Sequence, residues 1–196
     1  MWYNMYMRPG AELFERISSI MINNASSRRT PVSKPYLITR AQALHLSPSN
    51  FTQFMTSSTV YGVVVDIPMA PNVITTLACY INGAANLYFS PGGDYSGAAQ
   101  RYPSVVQAAR TFVSMAAKYV ETAEKANTLE LPNGRNHFAY ILTTGGIYRM
   151  ELVPFTSNRD EQQRLFISLY QRVMAELRSA QMKDKAAGIG TEPAAK

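Results

Sequence analysis

Thr75-Thr76-Leu77-Ala78-Cys79-Tyr80-Ile81-Asn82-Gly83-Ala84-Ala85-Asn86-Leu87-Tyr88-Phe89-Ser90-Pro91-Gly92-Gly93-Asp94 is the stretch whose reading decides the fold. Asn82-Gly83 separates two β-prone runs, Val73 to Tyr80 and Ala84 to Phe89. Both turn residues tolerate the positive φ of a type I′ turn, so the pair predicts a hairpin. Upstream, Val60 to Ile67 is β-branched and almost wholly apolar, the pattern of a strand covered on both faces and central in its sheet. Pro68 to Asn72 carries two prolines and predicts the intervening turn. Downstream, Val105, Ala109, Phe112, Ala116, Val120 and Ala123 recur at helical spacing, so Ser104 to Ala126 predicts an amphipathic helix of about six turns.

Further along, His137 to Thr143 and Ile147 to Val153 read as strands joined by the tight turn Thr144-Gly145-Gly146. Asn158 with Glu161, or Ser157 with Asp160, can cap a final helix whose stripe is Leu165, Leu169, Val173 and Leu177, widened by Phe166, Tyr170 and Met174. Beyond about Lys183 the periodicity disappears, and a disordered tail over residues 184–196 is expected. Towards the start, Leu13, Phe14, Ile17, Ile20 and Met21 give Ala11 to Asn23 the pattern of a short amphipathic helix. Ala25 to Pro35 reads as an exposed loop carrying Arg28, Arg29 and Lys34. Tyr36-Leu37-Ile38 has the composition of a short strand, Arg40 to Leu46 that of one or two helical turns, and Ser47-Pro48-Ser49-Asn50 the start of a short helix through Phe51, Phe54 and Met55.

Consecutive strands joined by such short turns cannot pair in parallel. The expectation is an α+β fold: a mostly antiparallel five-stranded sheet with helices on both faces, the first helix on one side and the two longer ones on the other. Residues 11–183 form one domain in this reading, after an extension over residues 1–10.

Composition bounds the chemistry. The 196 residues, 46% of them hydrophobic, can fill a real core. A formal charge of +6 favours anionic company, but only 16% of residues are charged and Arg28-Arg29 is the longest basic run. A mildly basic surface is therefore preferred over a nucleic-acid interface. Cys79 is the single cysteine, which excludes an internal disulfide and a multi-cysteine metal site and suits a reducing, cytoplasmic compartment. The apolar start Met1 to Met7 is interrupted by Arg8-Pro9-Gly10, too soon for a signal peptide or membrane span. No cofactor is expected.

The order of elements resembles the roadblock, longin and profilin group of α/β/α sandwiches. More locally, Tyr61 to Asp66, Asn86 to Gly93 and Val105-Val106-Gln107-Ala108-Ala109 resemble a group of uncharacterised bacterial proteins with a strand ending in Leu-Tyr, a Ser-x-Gly-Gly turn and then a helix. Asp94, Tyr95 and Ser96 stand where that group has glycine or aliphatic residues. The resemblance implies a fold and no particular activity.

Among candidate sites, the loop Ser90, Gly92, Gly93, Asp94, Ser96, Gly97 could expose successive backbone donors to an anion such as a phosphate, with a structural turn as the plainer alternative. Asp66 ends an apolar strand and must be paired, solvated or shifted in pKa; a turn-forming aspartate is preferred to a catalytic acid. His45 and His137 have no acid or cysteine at triad or metal spacing. Twelve tyrosines, among them Tyr80, Tyr88, Tyr95, Tyr102, Tyr140 and Tyr148, suit a partly buried sheet face or a subunit interface. The leading expectation is a non-enzymatic interaction module that forms a homodimer or part of an assembly through a sheet edge or the long helices. A ligand sensor at the Ser90 to Gly97 loop is the alternative, and an enzyme using Asp66 and Ser90 the third.

Overall fold

Strand β1 (Val60–Ala70) is the organising element: it pairs antiparallel with β2 (Val73–Tyr80) on one side and β6 (His137–Thr143) on the other. The computed structural model describes residues 32–55, 58–70, 72–154 and 161–189. The proposed helix over 11–23, the arginines at 28 and 29, and the caps at 157–160 lie outside them.

β3 (Ala85–Phe89) and β7 (Gly146–Leu152) extend the sheet, which ends in two strands of two residues each, β4 (Asp94–Tyr95) and β5 (Glu124–Lys125). The order is β4-β3-β2-β1-β6-β7-β5, antiparallel throughout. The α+β class and the antiparallel sheet are as expected, but the described residues form seven strands rather than five. A two-residue strand has no periodicity to read, and its pairing depends on neighbours distant in sequence.

β1 also runs further than expected, through Pro68 to Ala70. Its pairing with β6 stops at Asp66 opposite Phe138, so from Ile67 onward β1 has a neighbour on one side only. On such a one-sided strand the missing proline N–H breaks no ladder bond. The Asn82-Gly83 hairpin is present with a different turn. No non-glycine residue among those described has positive φ, and Gly83 alone in this loop adopts it, at +96°. Gly83 N–H donates to the Tyr80 carbonyl and Tyr80 N–H to the Ala84 carbonyl. This is a three-residue loop with its last residue left-handed, not a type I′ turn.

Six helical segments complete the described chain. α1 (Lys34–Leu44) takes the place of the expected loop and short strand, because Ser33 caps it and Pro35 sits in its first turn, where a missing donor costs nothing. A 3-10 segment over Pro48–Phe54 follows, as the Ser47-Pro48 signal indicated. α2 (Ala98–Arg101) is a single turn, and α3 spans Pro103–Ala116. The expected six-turn helix is shorter than its pattern: it tightens to 3-10 geometry over Ala117–Thr122 and then becomes strand β5. Tyr119, buried within that tightened turn, packs edge-on against Phe166 with ring centroids 5.0 Å apart. α4 (Glu161–Ala186) runs past Lys183, so the segment expected as tail still contributes a buried residue, Asp184.

Two apolar clusters account for the core. Val63, Val65, Ile67, Leu77, Cys79, Ala139 and Ile141 of the sheet join Val105, Ala109 and Phe112 of α3 and Phe166, Tyr170, Val173 and Leu177 of α4. Tyr61, Val64, Ala78, Tyr80, Tyr140 and Leu142 join Ala43 and Leu44 of α1 and Phe51 of the 3-10 segment. Tyr61 and Val64 share a cluster although three residues apart, because the β1–β6 register shifts between Val60 and Gly62. The α4 stripe is rotated from the one expected: Phe166, Tyr170, Val173 and Leu177 are buried while Leu165 is exposed.

Candidate functional site

The most elaborate polar construction among the described residues holds α1 to the sheet. Ser33 starts it: its hydroxyl accepts from Tyr36 N–H at 3.3 Å, and its own N–H donates to the Ser90 carbonyl at 2.8 Å. One turn later Tyr36 and Arg40 point inward and are buried. Arg40 Nε lies 3.0 and 3.1 Å from the two oxygens of Asp66, and Nη2 lies 2.5 Å from Oδ2. The remaining guanidinium donors reach the carbonyls of Leu129 at 2.9 Å and Glu130 at 3.2 Å. Asp66, wholly buried, also accepts from Thr76 Oγ1 at 2.7 Å. With the Thr76 proton so engaged, the Tyr36 hydroxyl, 2.8 Å away, is the donor to Thr76. Tyr140 donates to the Glu130 carbonyl, and its ring lies beneath the Arg40 guanidinium.

The electrostatics follow from this wiring. Burial opposes charge on Arg40, but the Asp66 carboxylate outweighs it and its pKa is raised. Burial, then the Asp66 charge, push the Tyr36 hydroxyl far up, so it remains a donor at any ordinary pH. A buried ion pair gains its geometry from complete hydrogen bonding and is costly to break. Asp66 is thus not the turn former: it sits mid-strand, held by Arg40 of α1 and Thr76 of β2.

This anchor leaves the opposite side of α1 facing outward in a fixed orientation. Leu37 and Ile38 are 45% and 50% exposed, and Ala41, one turn on, is exposed beside them. The other large exposed apolar side chains among the described residues are dispersed. Phe54 lies under the Arg110 guanidinium, Leu165 and Met182 stand 17 residues apart on α4, about 25 Å along its axis, and Ile189 lies just beyond the end of α4. The sheet edges are guarded, since β4 covers Leu87 and Tyr88 of β3, and β5 covers Tyr148 and Arg149 of β7.

The Ser90 to Gly97 loop is the turn between β3 and β4 and the start of α2. Ser90 is buried; its hydroxyl accepts from Ile74 N–H at 3.0 Å and its N–H donates to the Ile74 carbonyl at 2.9 Å. Gly92, at φ +118°, donates to the Phe89 carbonyl, and the Gly93 carbonyl accepts from Phe89 N–H. Asp94 is exposed and accepts from the Ser96 hydroxyl at 2.6 Å. Gly97, at φ +77°, precedes α2 and gives its carbonyl to Gln100 N–H. The loop therefore brings the six predicted residues together around its own backbone, with a carboxylate at its outer side. Lys34, the described member of the predicted basic loop, is exposed at the start of α1.

No family model, curated protein or solved structure matches this chain.

A second polar cluster escaped the sequence reading. Asp184, 3% exposed near the end of α4, accepts from Arg101 Nε and Nη2 at 3.1 and 2.6 Å, Tyr102 Oη at 2.6 Å and Tyr95 Oη at 2.7 Å. The Arg101 hydrogen bonds, opposed by burial and assisted by Tyr102 and Tyr95, hold its carboxyl well below the usual range. The one legible signal was the clustering of Tyr95, Arg101 and Tyr102 within eight residues. Several of the other tyrosines likewise bury their rings and spend their hydroxyls internally: Tyr61 on Leu46, and Tyr80 on Ala43.

His45 lies at the end of α1 with Nδ1 2.8 Å from the Ala41 carbonyl. His137 is buried with Nδ1 2.7 Å from the Tyr170 hydroxyl, and burial lowers its pKa to about 4. Cys79 is buried, which pushes its thiol far up. Among the described residues no group of three or more His, Cys, Asp or Glu could hold a metal, and no helix is long and apolar enough to cross a membrane.

Proposed function

We propose that this protein is a non-enzymatic interaction module, cytoplasmic in setting, that associates with a second copy of itself, alone or within a larger assembly, through the outer face of α1. The observation that carries this reading is the pairing of Leu37 and Ile38, adjacent and about half exposed, on a helix whose other face is locked to the sheet by Arg40 and Asp66. A preorganised apolar face loses little freedom on binding. In this reading the two apolar clusters belong to a three-layer sandwich of the kind the roadblock, longin and profilin group displays, with the sheet as its middle layer. The ligand-sensor alternative has less support, because Ser90 and Gly92 spend their polar groups within the turn and Asp94 would repel an anion there.

Light scattering coupled to size exclusion, run over a concentration series, tests the proposal. Wild-type mass rises with concentration, and Leu37→Asp with Ile38→Asp abolishes the rise while leaving the far-ultraviolet spectrum unchanged. A strictly monomeric wild-type protein at high micromolar concentration refutes it.

A further inference from the structure

Asn-Gly occurs twice in this chain, at Asn82-Gly83 and at Asn133-Gly134, and the fold treats the two copies in opposite ways. We propose that Asn133 is a modification site, converted by attack of the Gly134 backbone nitrogen on its side-chain amide, while the identical dipeptide at Asn82 is held out of that reaction.

The chemistry needs water and no other reactant. The glycine nitrogen loses its proton to base and bonds to the asparagine Cγ; the Cγ–Nδ2 bond breaks, and the amide nitrogen takes up a proton and leaves as ammonia. Water then opens the resulting succinimide at either carbonyl. One opening gives aspartate, the other isoaspartate, in which the backbone runs through Cβ. Glycine lacks the Cβ that would crowd its own nitrogen, so the dipeptide makes both sites chemically competent. What separates them is whether ψ of the asparagine can rotate until the glycine nitrogen eclipses Cβ.

At Asn82 it cannot. The three-residue loop gives its second residue a ψ of about 0°, roughly 120° from the eclipsed value. The Gly83 N–H donates to the Tyr80 carbonyl at 2.9 Å, the Ala84 N–H to Asn82 Oδ1 at 3.0 Å, and Arg110 Nε and Nη2 to the Asn82 carbonyl at 3.3 and 3.1 Å. The Arg110 charge by itself favours loss of the Gly83 proton, but rotating ψ breaks all three contacts first. At about fivefold for each, the closed loop slows conversion about a hundredfold.

Asn133 and Gly134 are both exposed in a bend, and neither makes a hydrogen bond to any of the described residues. The bend hangs between two fixed points: the Glu130 carbonyl, which receives Arg40 and Tyr140, and Asn136, whose Nδ2 donates to Glu151 Oε1 at 2.6 Å. An isoaspartate adds one chain atom between these points and disturbs neither. The product therefore stays folded, carries a new carboxylate beside Arg135, and has a formal charge one unit below the original +6.

Peptide mapping by mass spectrometry, with isoaspartate resolved by chromatography, tests this on the full chain aged at mildly alkaline pH, folded and in urea. In the folded protein Asn133 converts about a hundredfold faster than Asn82, mostly to isoaspartate, and in urea the two rates converge. Arg110→Met speeds Asn82 about fivefold and leaves Asn133 unchanged. Gly134 has open space around it and a φ outside the left-handed region, so Gly134→Ala fits the bend and slows Asn133 at least tenfold. Equal rates at the two sites in the folded protein overturn the inference, as does an Asn133 that converts only in urea. Conversion to aspartate alone, indifferent to Gly134→Ala, overturns the cyclic route.

Discussion

Acid should weaken this fold earlier than carboxylate protonation alone would, and His137 is the reason. It sits at the start of β6, 6% exposed, against Tyr170 of α4, and burial pushes its pKa down to about 4. In the unfolded chain it titrates near 6.5, so between pH 6.5 and pH 4 the unfolded state holds a proton that the folded state does not. Stability is full above pH 6.5 and falls as pH drops through this window, by up to about 1.4 kcal/mol per pH unit. From pH 7 to pH 5 the loss attributable to this residue is about 2 kcal/mol. For a domain of this size that corresponds to a fall in melting temperature of roughly 4–8 °C. Urea denaturation and thermal melts of the wild type and of His137→Gln, each at pH 7 and pH 5, measure it. The variant retains a hydrogen-bonding side chain at Tyr170 but cannot titrate, so its stability should be flat over the interval, whatever its level at pH 7. Equal losses in the two proteins would refute the reasoning and place the imidazole in contact with water.

Arg40→Met leaves Asp66 buried without its cation and should cost about 3–5 kcal/mol by chemical denaturation; Arg40→Met with Asp66→Asn should be less than additive, and strict additivity would mean that the pair is not coupled. Gly83→Ala forces a left-handed alanine and drives its Cβ to 2.4 Å from Val106 Cγ1, so a loss of roughly 2 kcal/mol or more is expected, partly recovered by adding Val106→Ala. Asp184→Asn removes the carboxylate that gathers Tyr95, Arg101 and Tyr102, and hydrogen exchange should show the last two turns of α4 losing protection while β1 keeps its own. Because Arg101 holds that carboxyl well below the usual range, the same protection should persist in the wild type at pH 4, where an ordinary aspartate is half protonated.

Local grammar carried the parts of the fold that are local. β2 and β3 were legible because a turn with a glycine and an asparagine lies between two β-prone runs, and β6 and β7 because Gly145-Gly146 does the same. The turn type at Asn82-Gly83 was not, since a composition that permits positive φ at both residues does not require it. α1 was hidden by its own cap: Ser33 and Pro35 mark a helix start, but the polar, proline-bearing run around them reads equally well as loop until Tyr36 and Arg40 find partners in the sheet. In α4 the apolar count favoured a face containing Leu165, yet the buried face includes Asp184, because Arg101, Tyr95 and Tyr102 satisfy a charge that burial alone would exclude.

The candidate site illustrates the same limit at longer range. Asp66 declared its need for a partner, as a lone carboxylate in an apolar strand must, but the sequence could not say that the partner was 26 residues upstream on a segment of ambiguous structure. Once Arg40 is placed, the rest of α1 follows by helical geometry: the residues that flank it by one turn on the inward side are Tyr36, Ala43 and Leu44, and the side turned away is Leu37, Ile38 and Ala41. The exposed apolar face is thus a consequence of the buried ion pair, which fixes the face that α1 turns towards the sheet. That the chain keeps the charged pair inside and the two aliphatic side chains outside is the strongest physical reason to look for what covers them.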